Sequence, residues 1–184
     1  MARQQFAELG YERVSVRGVA REAGVDPKLV HHYFGGKESL FAAVVELPLT
    51  PGDVIAELRE PSEEALGHRL ARIIVRLQSN ALSRMTMLGV IRAATSQPLA
   101  AERIRALLTT RLLLPIAREL TIDQPDVRAA LVGSQVVGLI MARYVVKLPA
   151  LASASDEEII ELLGASLDAV LGVAIIPAAE SSPT

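Results

Sequence analysis

Apolar residues recur at helical spacing along most of the chain, in blocks separated by glycine, proline and capping residues. Residues 1–9 turn Phe6 and Leu9 inward, and Gly10 closes them. Ser15 is a good N-cap, and Val16, Val19, Ala20 and Ala23 give the next helix a buried stripe that Gly24 ends. Asp26 and Pro27 then restart a helix as a carboxylate cap followed by proline at the first helical position. In it Val30 and Phe34 point inward, while Lys28, Leu29, His32 and Tyr33 reach out. Gly35-Gly36 makes a turn, and a further helix over Lys37 to Leu47 buries Leu40, Phe41, Val44 and Val45. Pro48 and Pro51-Gly52 break the pattern and mark the best domain boundary.

Beyond the break, Asp53 to Glu60 reads as a short helix, and Pro61-Ser62 as the cap of a longer one. There Leu66, Leu70, Ile73, Ile74 and Leu77 share one face, opposite Arg69, Arg72 and Arg76 on a solvated one. Residues 83–95 form another helix that stops near Gln97-Pro98. Leu99 to Leu120 is helical with Pro115 inside it, which either kinks one helix or divides two. A helix from Asp123-Gln124-Pro125-Asp126 to about Lys147 is apolar nearly all round between Leu131 and Ala142, so it is expected to be buried on all sides. Ser155-Asp156-Glu157-Glu158 fits a capping box that opens a last helix with Ile159, Leu163, Leu167, Val170, Leu171 and Ala174 on one face. Pro177 to Thr184 reads as a disordered tail.

The spacing around Gly24 carries the sharpest signal. Counting from Val16, the fifth residue is small (Ala20), the ninth is glycine (Gly24) and the fifteenth is apolar (Val30). A helix-turn-helix needs those types there, because its two helices cross closely, its turn is tight and its second helix is locked onto the first. That second helix can then enter a DNA major groove. Lys28 and Arg17 carry donors suited to guanine or phosphate.

Composition narrows the fold. Of 184 residues, 51% are apolar but only 3% aromatic, so the core is aliphatic and the balance favours an all-α protein. A mean hydropathy of +0.34 suggests a large apolar surface buried against a second copy, and the helices at about 124–147 and 156–174 are the expected homodimer surface. No apolar run approaches the roughly 18–20 residues of a membrane span, and no secretory signal opens the chain, so a cytoplasmic location is expected. Cysteine is absent, which removes disulfides, thiolate metal sites and a cysteine nucleophile. Net charge is −2, and residues 1–47 balance six basic against six acidic side chains, so charge does not advertise nucleic acid.

No glycine-rich phosphate loop, nucleophile elbow, His-Glu metal motif or triad is present, so no catalytic residue, no cofactor and no enzyme activity are expected. His31-His32 is not a metal site, because adjacent helical side chains point about 100° apart.

Phe6-Ala7-Glu8-Leu9-Gly10-Tyr11, Val14-Ser15-Val16-Arg17, Ala20-Arg21-Glu22-Ala23-Gly24-Val25, Tyr33-Phe34 and Lys37-Glu38-Ser39-Leu40-Phe41 together resemble the N-terminal domain of tetracycline-repressor (TetR) type transcriptional regulators. The resemblance implies an all-α fold, with a three-helix helix-turn-helix domain over residues 1–47 and a helical effector-binding and dimerisation domain over 53–176. It implies a ligand-responsive regulator, a repressor that binds a palindromic double-stranded operator as a dimer and is released by a small apolar effector. Ser15, Tyr33 and Lys37 match positions where the family contacts phosphate, completing a DNA set of Ser15, Arg17, Lys28, Leu29, His32, Tyr33 and Lys37. The implied effector site falls on Met85, Met87, Leu88, Ile91, Arg92, Leu108, Leu112 and Gln135, which combine adaptable apolar walls with a few polar handles, Arg92 for an anionic group. The sequence departs from the family pattern in two places. The first helix starts at Met1, a turn or more short and without a basic arm, and His31 stands where the recognition helix usually has tyrosine. The alternative is a dimeric helical interaction protein with lost or weak DNA binding.

Overall fold

The computed structural model describes residues 1–120 and 123–172. Every regular element among them is helical: α1 Ala2–Arg13, α2 Val16–Ala23, α3 Pro27–Phe34, α4 Lys37–Val44, α5 Pro51–Arg59, α6 Leu66–Ser79, α7 Ala81–Ser96, α8 Pro98–Leu108, α9 Leu114–Leu120, α10 Pro125–Ile140, α11 Pro149–Ser153 and α12 Asp156–Leu171. The expected end of the last helix, with Ala174, and the tail over 177–184 lie outside the described residues.

The residues gather into two compact units, Met1–Asp53 with Arg76–Pro115, and Val54–Val75 with 116 onward. The first unit has one continuous core. Phe6, Tyr11, Val14, Val19, Ala20, Val30, Leu40 and Phe41 from α1–α4 are joined in it by Val90 and Ala93 of α7 and by Ala100 and Ile104 of α8. The scarce aromatics concentrate here, Phe41 meeting Phe6 and Tyr11 edge-on at centroid distances of 5.0 and 5.1 Å. Such edge-to-face pairs suit the ring quadrupole.

In the second unit, α6 and α12 cross at Gly67 and Gly164. Asp168 of α12 is buried there, accepting from the Gly67 N–H at 2.6 Å and contacting His68 Nδ1 at 2.8 Å. Its carboxylate thus satisfies one of the free N–H groups in the first turn of α6, a cap delivered from a distant helix. At the start of α12 the capping box is present. Ser155 Oγ accepts from the Glu158 N–H at 3.2 Å, and Glu158 Oε2 accepts from the Ser155 N–H at 2.8 Å. Ser155→Ala is expected to cost about 1 kcal/mol of stability, read by thermal denaturation.

Several elements differ from the sequence expectation. Gly10 leaves helical geometry as expected (φ 74°), and beyond this kink Tyr11–Arg13 add a short further turn to α1. The helix expected to reach Leu47 stops at Val44, where Val45 is already extended. Pro61-Ser62 does not cap α6 directly; Ser62 Oγ accepts from the Glu64 N–H, and the helix begins at Leu66. Arg69 is not on a solvated face, since its guanidinium donates to the Leu58 and Glu57 carbonyls at the end of α5. Pro115 does not divide two helices, since the helical run continues through it to Leu120. A π turn over Thr109–Leu113 precedes it, and this wider turn relieves the clash between a proline ring and the carbonyl four residues back. A second π turn, Met141–Val145, follows α10. Finally, α10 is not buried on all sides, because Val127, Leu131 and Val137 are exposed in the protomer.

Candidate nucleic-acid interface

The helix-turn-helix forms from local capping on both sides of one turn. Ser15 Oγ accepts from the Gly18 N–H at 3.0 Å and opens α2. Gly24 ends it with φ 67°, a left-handed conformation that costs glycine little, and its N–H turns back to Ala20 and Arg21 carbonyls. Asp26 Oδ1 then accepts from the Lys28 N–H at 2.7 Å, with Pro27 at the first position of α3. Ala20 is fully buried at the crossing, and Val30 is buried where α3 meets the core.

With Val30 turned in, α3 offers Lys28, Leu29, His32 and Tyr33 to solvent. Tyr33 is 68% exposed and Leu29 46%, large values for such side chains in a folded unit. His32 and Tyr33 meet edge-on at 5.4 Å. Arg17 on α2 is exposed, as are Arg21 and His31, which widen the set beyond the expected residues. Ser15 uses its oxygen as acceptor within the cap, which leaves its hydroxyl hydrogen to donate.

Lys37, at the start of α4, is half-buried. Its Nζ donates to the Glu12 carbonyl at 3.0 Å and lies 4.5 Å from the centroid of the Tyr11 ring. Burial pushes this ammonium below its ordinary pKa, and neighbouring Glu38 works against that. The Tyr11 hydroxyl donates to Glu38 Oε1 at 3.0 Å; burial and then Glu38 raise the phenol far above its usual value. Arg92 of α7 pairs with the Glu12 carboxylate, both side chains exposed, and sits 6.0 Å from the Tyr11 centroid. Sequence reasoning missed this surrounding of Lys37, because nothing in local spacing links residue 92 to residue 12.

The eight expected effector residues divide between the units, seven in the first and Gln135 in the second. Met85 lays its terminal methyl against Gly10, and Leu108 packs on the core of the first unit. Met87, Leu88 and Ile91 are half-buried along α7, and Leu112 is half-buried in the π turn. Arg92, expected to meet a ligand, is engaged by Glu12. Gln135 Oε1 accepts from the Ser166 hydroxyl at 3.1 Å, which ties α10 to α12. Among the described residues, no group of three or more His, Asp or Glu is placed to hold a metal ion, and no helix is long and apolar enough to cross a membrane.

Comparison with known proteins gives the same picture from outside. Residues 1–44 match the family described as bacterial regulatory proteins, tetR family, and residues 64–171 match the tetracyclin repressor-like C-terminal domain. The HTH-type transcriptional regulator BetI of Brucella anthropi is 39% identical over 67 residues, 33% of this chain and 31% of that protein. BetI of Brucella canis is 56% identical over 32 residues, 17% of this chain and 16% of that one. The chain therefore spans about a third or less of the length of the curated relatives it matches. Among solved structures, a TetR-family regulator from Streptomyces coelicolor is 29% identical with a TM-score of 0.54, covering 93% of this chain and 90% of that one. NalD of Pseudomonas aeruginosa, at 18% identity, TM-score 0.55 and coverages of 92% and 90%, shares the fold. The C-terminal match spans more than half of the chain and its N-terminal companion covers the helix-turn-helix: the chain belongs to the TetR family, whose members are transcriptional regulators and not enzymes.

Proposed function

We propose that this chain is a ligand-responsive repressor that binds a palindromic operator as a homodimer and is released by a small apolar effector. DNA contacts belong to residues 1–47, and effector and dimer contacts to 53–176. The observation that carries the reading is a pair of exposed surfaces that a monomer has no use for. One is the Lys28–Tyr33 face of α3, with Arg17 and Ser15 beside it. The other is the seam along α10 and α12, where Val127, Leu131, Val137 and Leu162 are exposed among small residues such as Ser134, Gly138 and Ala165. Small residues let a second copy's helices approach closely, and large exposed apolar side chains gain from its cover.

The chemistry of α3 and the residues beside it then divides by atom type. Lys28 and Arg17 donate to guanine edges or phosphate, Leu29 makes apolar contact, and Ser15, Tyr33 and Lys37 fix register on the backbone. Met87, Leu88, Ile91 and Leu112 supply flexible apolar walls for the effector. Release works by population shift. The two heads of a dimer must fall about 34–36 Å apart, or a multiple of that, to enter successive major grooves, and an effector that prefers another separation draws the dimer away from DNA. The cytoplasm, where DNA and small metabolites meet, is the setting this implies.

Leu131→Arg tests the assembly. Sedimentation is expected to change from dimer to monomer, with the helical circular dichroism kept and binding to the promoter region beside its own gene lost. A wild type that sediments only as monomer removes the reading. A dimer that fails to shift that DNA even at low salt supports instead the dimeric interaction protein without DNA binding, which the balanced charge of residues 1–47 favours.

A further inference from the structure

We infer that Arg92 is a positioning residue for DNA binding: by holding the Glu12 carboxylate it keeps Lys37 available to phosphate. This rests on the DNA-binding reading above and adds a residue outside the helix-turn-helix to it.

Three charged groups surround the Tyr11 side chain. Lys37 Nζ lies 4.5 Å from the ring centroid and donates to the main-chain carbonyl of Glu12 at 3.0 Å. The guanidinium of Arg92 lies 6.0 Å from the same centroid and pairs with the side chain of Glu12. Glu38, the other carboxylate at hand, accepts from the Tyr11 hydroxyl. Glu12 therefore has two cations within reach, one held by its side chain and one by its backbone. Its carboxylate is exposed, so loss of Arg92 frees it to turn onto Lys37. A carboxylate on Lys37 competes directly with phosphate.

The arrangement has a second consequence. Lys37 is half-buried and already donates one of its three hydrogens, leaving two for an anion. Arg92 stands on α7, the helix that also carries Met87, Leu88 and Ile91, so a movement of that helix acts on Lys37 through Glu12 without touching the reading helix.

The test measures binding against salt concentration. The probes are a duplex enriched by the wild-type protein from a random-sequence library, and a scrambled duplex of equal length. Each phosphate contact contributes about 0.9 to the slope of log K against log salt, which is about eightfold in affinity for each tenfold change in salt. Arg92→Met is expected to lower the slope by about 0.9 per reading head and to weaken both duplexes alike. The double variant Arg92→Met with Glu12→Gln is expected to regain the wild-type slope, since an amide does not compete for the ammonium. Added to Lys37→Met, the Arg92 change is expected to do nothing more. An unchanged slope in Arg92→Met, or a loss that Glu12→Gln does not restore, overturns the inference while leaving DNA binding intact. A wild type that binds neither duplex at low salt overturns the DNA-binding reading, and this inference with it.

Discussion

Gly67→Ala is expected to lower the melting temperature of the protein by roughly 6–12 °C. A Cβ at residue 67 lies 2.5 Å from the Gly164 carbonyl oxygen, 2.6 Å from Asp168 Oδ1 and closer still to the Asp168 backbone nitrogen. Two of those three atoms are main chain of α12, so no side chain can swing aside. The helices must separate, and overpacking of that kind costs about 3 kcal/mol or more. At this chain length each kcal/mol is worth about 2–4 °C. Separation also loosens the Asp168 cap, leaving a buried carboxylate without the Gly67 N–H and His68 that satisfy it. Gly164→Ala meets the His68 ring at 2.5 Å and belongs to the same crossing. Gly52→Ala is the control: its Cβ meets nothing nearer than Thr50 Oγ1 at 3.7 Å, so the same exchange in an open first turn of α5 is neutral or mildly stabilising. Equal melting curves for Gly67→Ala and wild type would show that the crossing is looser than described.

Lys28→Ala is expected to have the largest effect on DNA binding of any single exposed residue, because a dimer loses the contact twice. A side chain donating to a guanine edge discriminates by about 1–3 kcal/mol, so two heads lose about 2–6 kcal/mol, or roughly 30-fold to more than 10⁴-fold. Stability is expected to stay within about 0.5 kcal/mol, since Lys28 is exposed and only its backbone N–H, which alanine keeps, donates to the Asp26 cap. Competition with a scrambled duplex separates two roles for it. If Lys28 reads a base, the preference for the selected duplex shrinks. If it holds phosphate, both duplexes weaken equally and the salt slope falls. Retention of full affinity and preference would remove Lys28 from the interface.

The helix-turn-helix was legible because everything that makes it is local. Ser15, Gly24, Asp26 and Pro27 act on atoms within four or five residues of themselves, and the left-handed φ of Gly24 is the conformation its residue type announces. The burial of Ala20 and Val30 follows from the same short spacing. What sequence spacing left out are contacts that join distant stretches. Arg69, Arg72 and Arg76 look alike in a periodic pattern, yet Arg69 turns onto the α5 carbonyls while Arg72 pairs with Glu64 and Glu157. Arg92 reads as a lone polar handle on an apolar helix until Glu12 and Tyr11 come beside it. The apolar face of α7 satisfies the description of a pocket wall and of a core helix equally well, and Val90 and Ala93 are in the core of the first unit. In α10, uniform hydrophobicity promised burial, but a single protomer leaves Leu131 and Val137 in solvent.

The π turn at Thr109–Leu113 bears on how this chain is matched to its relatives. It lies inside a helical run, between α8 and α9, and accommodates one residue more than a regular helix of the same span. A relative that lacks the extra residue will run one number out of step beyond it, so alignment columns past 113 have to be set by inward or outward orientation, with the gap placed inside the bulge.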